Sequence, residues 1–198
     1  MIPRSIVATI DKRLRLLGFH AKKAIWNRRA GVFVDVVSLQ MDRSLDSFAV
    51  NLGILYPHAY TQCFDKKPPA VVDDIHCTAR WRLRDGAPVV EWWKLDDGNA
   101  STSVVRVLEE QTVSTMDGLH SLDSLERFLA GVAATRGGSP PEEVYRAIIL
   151  ADLGRMSEAR STLATLSAKA SGPWRDRIAE VELRLGKAIA SQTPIAHD

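Results

Sequence analysis

A valine-rich stretch, a short polar segment and a strictly alternating stretch constrain the fold more than any other part of the chain. Residues 32–37 contain four valines, and β-branched residues favour the pleated, buried surface of a strand that runs to about Met41. Residues 48–54 alternate between apolar and small or polar side chains, which is the period of a second strand. The polar residues 42–47 have turn-forming character, so the sequence predicts a β-hairpin.

The residues before the hairpin predict a helix and an extended segment. Apolar residues recur at three- and four-residue spacing over Pro3–Leu17, and Gly18 suits the C-terminal cap of that helix. Residues 19–26 are expected to be extended. The segment Arg28–Gly31 is then expected to be the turn into the hairpin.

The residues after the hairpin predict an irregular segment and further strands. Three prolines and the lack of a sustained period indicate irregular structure, with room for a short helix, over residues 56–74. Alternation returns over 75–83, which places Ile75 and Cys77 towards the core and His76 on the opposite side. A turn over 84–88 and a strand over 89–95 follow. The adjacent Trp92 and Trp93 of that strand should point to opposite faces.

The apolar period changes from two to about 3.6 at Ser101, which predicts helices for the rest of the chain. The run 135–140 has the Gly, Ser and Pro content of a linker, so we expect an α+β domain over 1–135 and a helical extension over 136–198. That extension contains a predicted helical hairpin around Gly154. The sequence thus predicts an α+β fold, with an antiparallel β-sheet flanked by helices and followed by a C-terminal α-helical hairpin.

Composition narrows the class of protein. The 198 residues are 45% hydrophobic and 25% charged, which is globular, and the net charge of +2 is too small to indicate a nucleic-acid or membrane partner. Residues 1–30 nevertheless hold eight Lys or Arg against one acid. Such a patch could bind phosphate, nucleic acid or an acidic protein, or it could be a solvated helix face.

Two cysteines without C-x-x-C spacing indicate a reduced, cytoplasmic protein, and no apolar run approaches the length of a membrane span. Zinc binding has only a loose basis, since two adjacent residues of a predicted strand, His76 and Cys77, cannot easily reach one ion. The other nearby donors are His58 and Cys63. A cysteine thiolate paired with a histidine, His120 included, is conceivable but has no local signature.

Phosphate-binding glycine motifs and the G-x-S-x-G motif of many hydrolases do not occur in the sequence. We therefore predict no metal and no cofactor and assign no catalytic residue. Whether the protein is an enzyme stays open.

Polar residues opposite the predicted core form the candidate ligand or partner face. Gly53 would leave room for a ligand or for close packing, and Arg80 would supply the charge of an anion- or peptide-binding concavity. The alternative is a solvent-facing side of the sheet with Gly53 at a bulge or under a helix. The candidate residues are Gln40, Asn51, Gly53, His76, Arg80 and Trp92.

Short motifs resemble known families. Leu17-Gly18-Phe19, the strand ending at Gln40, the Asn51-Leu52-Gly53 strand, residues 77–82 and Glu91-Trp92-Trp93 resemble the bacterial domain of unknown function 4304 over about residues 3–130. This resemblance implies an α+β domain without an established activity. Residues 153–159 with Leu163 and Leu166 resemble the turn and second helix of a tetratricopeptide repeat.

These observations favour a non-catalytic interaction module that binds a protein partner or a second copy of itself. The alternative is a small-ligand-binding or hydrolytic site at Asn51, His76 and Arg80, which a deep pocket joining those residues would favour. A nucleic-acid interface at residues 1–30 is a third possibility, although aromatic residues are not interleaved with its charges.

Overall fold

The structure, a computed structural model, describes residues 2–86 and 89–190. The chain divides into two units, Met1–Pro57 with Pro68–Ser121 and His58–Lys67 with Leu122–Asp198. The first unit holds a six-stranded antiparallel sheet together with helices, and the second holds helices. The predicted α+β fold class is therefore confirmed, whereas the predicted domain boundary after residue 135 stays a prediction.

The sheet has a simple topology. Its strands are β1 (His20–Lys22), β2 (Ile25–Ala30), β3 (Phe33–Met41), β4 (Ser47–Leu55), β5 (Ala79–Arg82) and β6 (Trp93–Lys94). The first five pair in chain order, and β6 pairs with the end of β4. Every pair is antiparallel, which allows short connections. Short turns join β1 to β2, β2 to β3 and β3 to β4.

The predicted hairpin is confirmed as β3 and β4. Ser38 lies opposite Asn51, and Gln40 lies opposite Ala49. All residues of β4 are buried, as are the first six of β3. Both faces of the centre of the sheet are therefore covered, which the two-sided apolar pattern of β3 predicted.

The predicted turn at Arg28–Gly31 is wrong, because the residues from Arg28 to Ala30 continue β2. Arg28 lies opposite Asp35 and donates a hydrogen bond to its carboxylate, which draws this basic segment into the sheet. The chain reverses instead at Gly31, whose φ of +60° glycine adopts at little cost. The segment predicted to be extended over 19–26 contains β1 and the start of β2, with a turn between them.

The predicted strand over 75–83 is wrong in its first half. Asp74–His76 form one turn of 3₁₀-helix, and β5 begins only at Ala79. The Asp73 side chain accepts a hydrogen bond from the backbone N–H of Asp74 at 2.8 Å, a local bond that competes with strand pairing. Residues 89–95 also form less strand than predicted, since β6 has two residues and Val90 forms only an isolated bridge with Asp85. The predicted turn at 84–88 includes residues 87 and 88, which lie outside the described residues.

Because Asp74–His76 form a 3₁₀ turn, the alternation of side chains expected in a strand does not apply to them. Ile75, which we expected in the core, is 68% exposed, whereas Cys77 is buried. His76 belongs to the 3₁₀ turn and not to a strand. The argument that His76 and Cys77 must point to opposite faces therefore loses its basis.

The helices of the first unit pack their apolar sides inward. In α1 (Arg4–Leu16), the side chains of Ile6, Ile10 and Leu14 are buried. A later helical run consists of α3 (Ala100–Val107), a π-helical turn (Leu108–Thr112) and α4 (Val113–Gly118), and α1 packs against α3. Gly18 follows α1 with a φ of +84°, which suits the predicted cap.

The second unit is helical. Its helices are α2 (Pro57–Phe64, in this unit from His58), α5 (Leu122–Arg136), α6 (Pro140–Asp152), α7 (Met156–Ser167) and α8 (Pro173–Ala190). The predicted helical hairpin is α6 and α7, joined at Gly154 with a φ of +76°. The likeness of this hairpin to a tetratricopeptide repeat stays a prediction. No described helix combines the length and the apolar character needed to span a membrane.

Candidate functional site

The structure brings two of the predicted face residues into direct contact on one side of the sheet. Asn51 and Gln40 point the same way from neighbouring strands, and Asn51 Nδ2 donates a hydrogen bond to Gln40 Oε1 at 3.0 Å. Arg82 lies opposite Asn51 in β5. Its Nε and Nη2 atoms contact Asn51 Oδ1 and Gln40 Oε1, each at 3.4 Å. The arginine of this cluster is therefore Arg82 and not the predicted Arg80.

Trp92 completes the cluster. The guanidinium carbon of Arg82 lies 4.6 Å from the centre of the Trp92 ring, a cation–π arrangement. The next residue, Trp93, is buried and packs on Phe48 with ring centres 6.1 Å apart. The two tryptophan side chains thus lie in different surroundings, as expected for neighbours in an extended segment. We call Gln40, Asn51, Arg82 and Trp92 the Arg82 cluster.

The guanidinium of Arg82 retains hydrogen-bonding capacity. Its two hydrogen bonds to amides are longer than the usual range for N–H···O bonds. Among residues 2–86 and 89–190, no carboxylate forms an ion pair with it. A planar, always-charged donor is thus held in place by an indole and two amides, without a counter-ion in the described part of the chain.

The rest of this face is covered by residues 72–77. Asn27 and the backbone of Val72 exchange two hydrogen bonds, of 2.8 and 2.9 Å, and Ser38 Oγ donates to Asp74 Oδ1 at 2.6 Å. Cys77 lies directly on Gly53, where an added Cβ would be 2.5 Å from its Sγ atom. Gly53 thus permits close packing and does not leave room for a ligand.

The remaining predicted face residues lie outside the Arg82 cluster. His76 belongs to the covering segment, on its 3₁₀ turn. Arg80 lies opposite Gly53 in β5 and is exposed. Three of the six predicted residues, Gln40, Asn51 and Trp92, are thus joined by Arg82, and the function predicted for this face stays a prediction.

The two cysteines are poor candidates for a nucleophile. Burial raises the pKa of Cys63 to about 11, and burial followed by the nearby charges of Asp74 and Asp73 raises the pKa of Cys77 well above its usual value. Neither thiol will be appreciably ionised near neutral pH. His58 lies 3.5 Å from Asp152 in the helical unit.

A second polar cluster, which the sequence analysis did not identify, surrounds Asp35. This residue of β3 is 0% exposed, and its Oδ2 accepts a hydrogen bond from Arg28 Nε at 2.7 Å. Its Oδ1 lies 2.7 Å from His120 Nε2. Arg28 Nη2 also donates to Asp117 Oδ1 at 2.6 Å. We call Arg28, Asp35, Asp117 and His120 the Asp35 cluster.

Aromatic rings enclose the Asp35 cluster. Arg28 lies 5.2 Å from the centre of the Phe19 ring, and the His120 ring stacks on Phe33 with 5.7 Å between centres. Burial alone would lower the pKa of Arg28, but hydrogen bonds and charge from Asp35 and then Asp117 outweigh burial and raise it. Arg28 therefore stays charged and compensates the buried carboxylate.

The Asp35 cluster has donors of the kind that bind metals. Ligand atoms of Asp35, Asp117 and His120 lie within 4.8 Å of one another. The guanidinium of Arg28, however, already bridges both carboxylates, so a cation would have to displace it. We interpret the cluster as a structural ion network. One signal for it was in the sequence, since an aspartate within a valine-rich buried strand requires a partner.

The profile of a protein family described as "Domain of unknown function (DUF4304)" matches residues 10–122, which is more than half of the 198-residue chain. The match includes both clusters and the whole sheet. Neither the curated proteins nor the solved structures include a significant match.

Proposed function

We propose that this chain, which belongs to the DUF4304 family, is a non-catalytic protein-interaction module that binds an acidic side chain of a partner at the Arg82 cluster. The observation that carries the proposal is an arginine stacked on Trp92 with no carboxylate partner among the described residues. A guanidinium held in one plane matches the two oxygens of a carboxylate.

The composition of the cluster supports a protein partner. Arginine and tryptophan are enriched among the residues that contribute most to protein–protein binding. Gln40 is exposed, whereas Arg82 and Trp92 are half-buried, so a partner could cover the cluster and strengthen the charge pair by excluding water. The amides of Gln40 and Asn51 would then orient the guanidinium.

The rival function, a small-ligand or hydrolytic site at Asn51, His76 and Arg80, has less support. Asn51 is turned to Gln40 and Arg82, while the space beside Gly53 is filled by Cys77. Small-ligand sites usually bury most of the ligand surface, which the filled space beside Gly53 does not allow. Cys63 and Cys77 are unpaired and buried, which supports the cytoplasm as the proposed compartment. Bacterial origin stays an expectation from the family resemblance.

The proposal is tested with an array of extended peptides that differ only in one Asp or Glu against Asn or Gln. Wild-type protein should prefer the acidic member of each pair, and Arg82→Gln should lose that preference. Arg82→Lys should retain part of it, because it keeps the charge but not the planar fork.

Arg29→Gln is the matched control, since Arg29 is an exposed arginine on β2 of the same sheet. Equal binding by the wild type, Arg82→Gln and Arg29→Gln would contradict the proposal. Loss of binding in Arg80→Gln but not in Arg82→Gln would contradict it too and would favour the site predicted from the sequence.

A further inference from the structure

A second surface of the first unit has the character of a binding groove. It lies between the outer side of α1 and the turn that joins β1 to β2, and its volume is about 910 Å³. Apolar residues form most of its lining, namely Ile2, Val7, Ala8, Ala21, Ala24 and Met41. Three of the six are alanines, so a bound chain can approach the backbone closely.

Positive charge surrounds the groove. Arg4 and Arg15 lie on α1, and Lys23 lies on the β1–β2 turn. Asp11 is the acid of the lining, and it is engaged by Arg15 Nε at 2.7 Å and by Trp26 Nε1 at 2.9 Å. Within the described part of the chain, Arg4 and Lys23 form no ion pair. The groove therefore combines an apolar floor with uncompensated cations.

The geometry of α1 sets the length of a fitting partner. Arg4 and Arg15 are eleven positions apart, which is about 16 Å along a helix or roughly three turns. The groove-lining residues Arg4, Val7, Ala8, Asp11 and Arg15 follow the three- and four-residue spacing of one helix face. This face differs from the core face, which carries Ile6, Ile10 and Leu14.

We propose that the groove binds an amphipathic, acidic helix of a partner protein, with apolar side chains against the alanines and carboxylates paired with Arg4 and Lys23. Charge complementarity favours this occupant. In helix-in-groove binding, apolar side chains at helical spacing on the partner insert into an apolar groove. The α1 face of a second copy would bring like charges together. This site shares no residue with the Arg82 cluster, and the neighbouring β3 residues Met41 of the groove and Gln40 of the cluster point to opposite faces of the sheet.

The test uses fluorescence anisotropy with the full chain and two labelled synthetic helices of ~14 residues, about four turns. Both helices carry the same apolar stripe, and their flanking positions are all Glu in one and all Lys in the other. The acidic helix should bind, with an affinity that falls as salt is raised, and the basic helix should not.

Charge reversal on α1 supplies the matched variants. Arg4→Glu should weaken binding of the acidic helix by about tenfold or more, because it places a like charge at the groove. Lys12→Glu reverses an exposed charge of α1 outside the lining and should change binding by less than about twofold. Circular dichroism checks that both variants keep the helix content of the wild type.

Three outcomes would overturn the proposal. They are no binding of the acidic helix, equal binding of both helices, and equal losses in Arg4→Glu and Lys12→Glu. Competition between a single-stranded oligonucleotide and the acidic helix would overturn it too and would assign the groove to nucleic acid. Arg82→Gln should bind the acidic helix as the wild type does, so failure here and failure of the proposed function remain distinguishable.

Discussion

A Cβ added at Gly53 would lie 2.5 Å from Cys77 Sγ, 2.8 Å from Cys77 Cβ and 3.2 Å from the carbonyl oxygen of Ala79. The sequence shows a glycine in an otherwise regular strand, which predicts either room for a ligand or a close approach of other atoms. It cannot decide between them, because the atoms that come close belong to a later segment. The choice depends on tertiary packing alone.

Gly53→Ala should therefore lower the free energy of unfolding by about 1–3 kcal/mol, the usual cost of overpacking, and by more if the neighbouring backbone must shift. The same substitution at Gly98, where an added Cβ meets nothing within 4 Å, should change stability little. Urea denaturation followed by circular dichroism measures both. Similar midpoints for the two variants would contradict the close packing of Cys77.

In the Asp35 cluster, Arg28 has one buried and one exposed carboxylate partner. Asp35 is 0% and Asp117 is 54% exposed, and each accepts a hydrogen bond from Arg28. Asp35→Ala should cost about 3–5 kcal/mol, because Arg28 then lacks its buried counter-ion. Asp117→Ala should cost about 0–1 kcal/mol. Thermal denaturation of the two variants gives the comparison, and equal costs would argue against burial as the cause.

The β3–β4 turn shows what local sequence determines. Asp42 accepts hydrogen bonds from the side chains of Ser47 and Ser44, which are the main reason that its pKa falls to about 2. Such bonds between neighbours are typical of Asp and Ser in turns, so the turn was predictable. The 3₁₀ turn at Asp74–His76 was missed because alternation outweighed the capping tendency of Asp73 in the prediction.

One residue of the β3–β4 turn carries backbone strain. Leu45 has a φ of +64° and is 61% exposed, so it occupies a left-handed conformation without an evident packing benefit. Leu45→Asn should raise the free energy of unfolding by roughly 0.5–1 kcal/mol, because asparagine tolerates this conformation better. Val32→Asn is the control at an exposed turn residue outside the left-handed region, and it should bring no gain.

At the scale of the whole chain, the change of apolar period near residue 100 predicted helices for the rest of the chain, and every described element from Ala100 onwards is helical. The division into units was harder to predict. His58–Lys67 belongs with the later helices, although it follows β4 directly in the chain. A sequence pattern reports which side of a helix is apolar but does not identify the surface that covers it.

Acid should destabilise the chain. The pKa values of Asp42, Asp46 and Asp85 are lowered mainly by hydrogen bonds to serine side chains, and that of Asp11 mainly by Arg15. A carboxyl whose pKa is lower when folded binds fewer protons in the folded state. Its stabilising contribution is therefore complete above the unfolded pKa and lost as the pH falls through the folded pKa.

The urea midpoint should thus begin to fall below about pH 5 and continue to fall towards pH 2. Asp42→Asn should be less stable than the wild type at pH 7, and the difference should shrink as the pH falls and vanish only below about pH 2, where Asp42 is protonated in the folded state as well. A difference that is constant over this range would show that Asp42 acts through something other than its charge.

The π-helical turn Leu108–Thr112 sets the angular position of the α4 residues that follow it. Five buried residues of this run recur at intervals of four, namely Ala100, Val104, Leu108, Thr112 and Met116. In an unbroken α-helix each such interval would drift by about 40° around the axis, and the wider turn takes up part of that drift. Loss of one residue here would swing Asp117 by about 100° and carry His120 off Asp35. The number of residues in this helical run therefore decides whether His120 reaches the buried carboxylate.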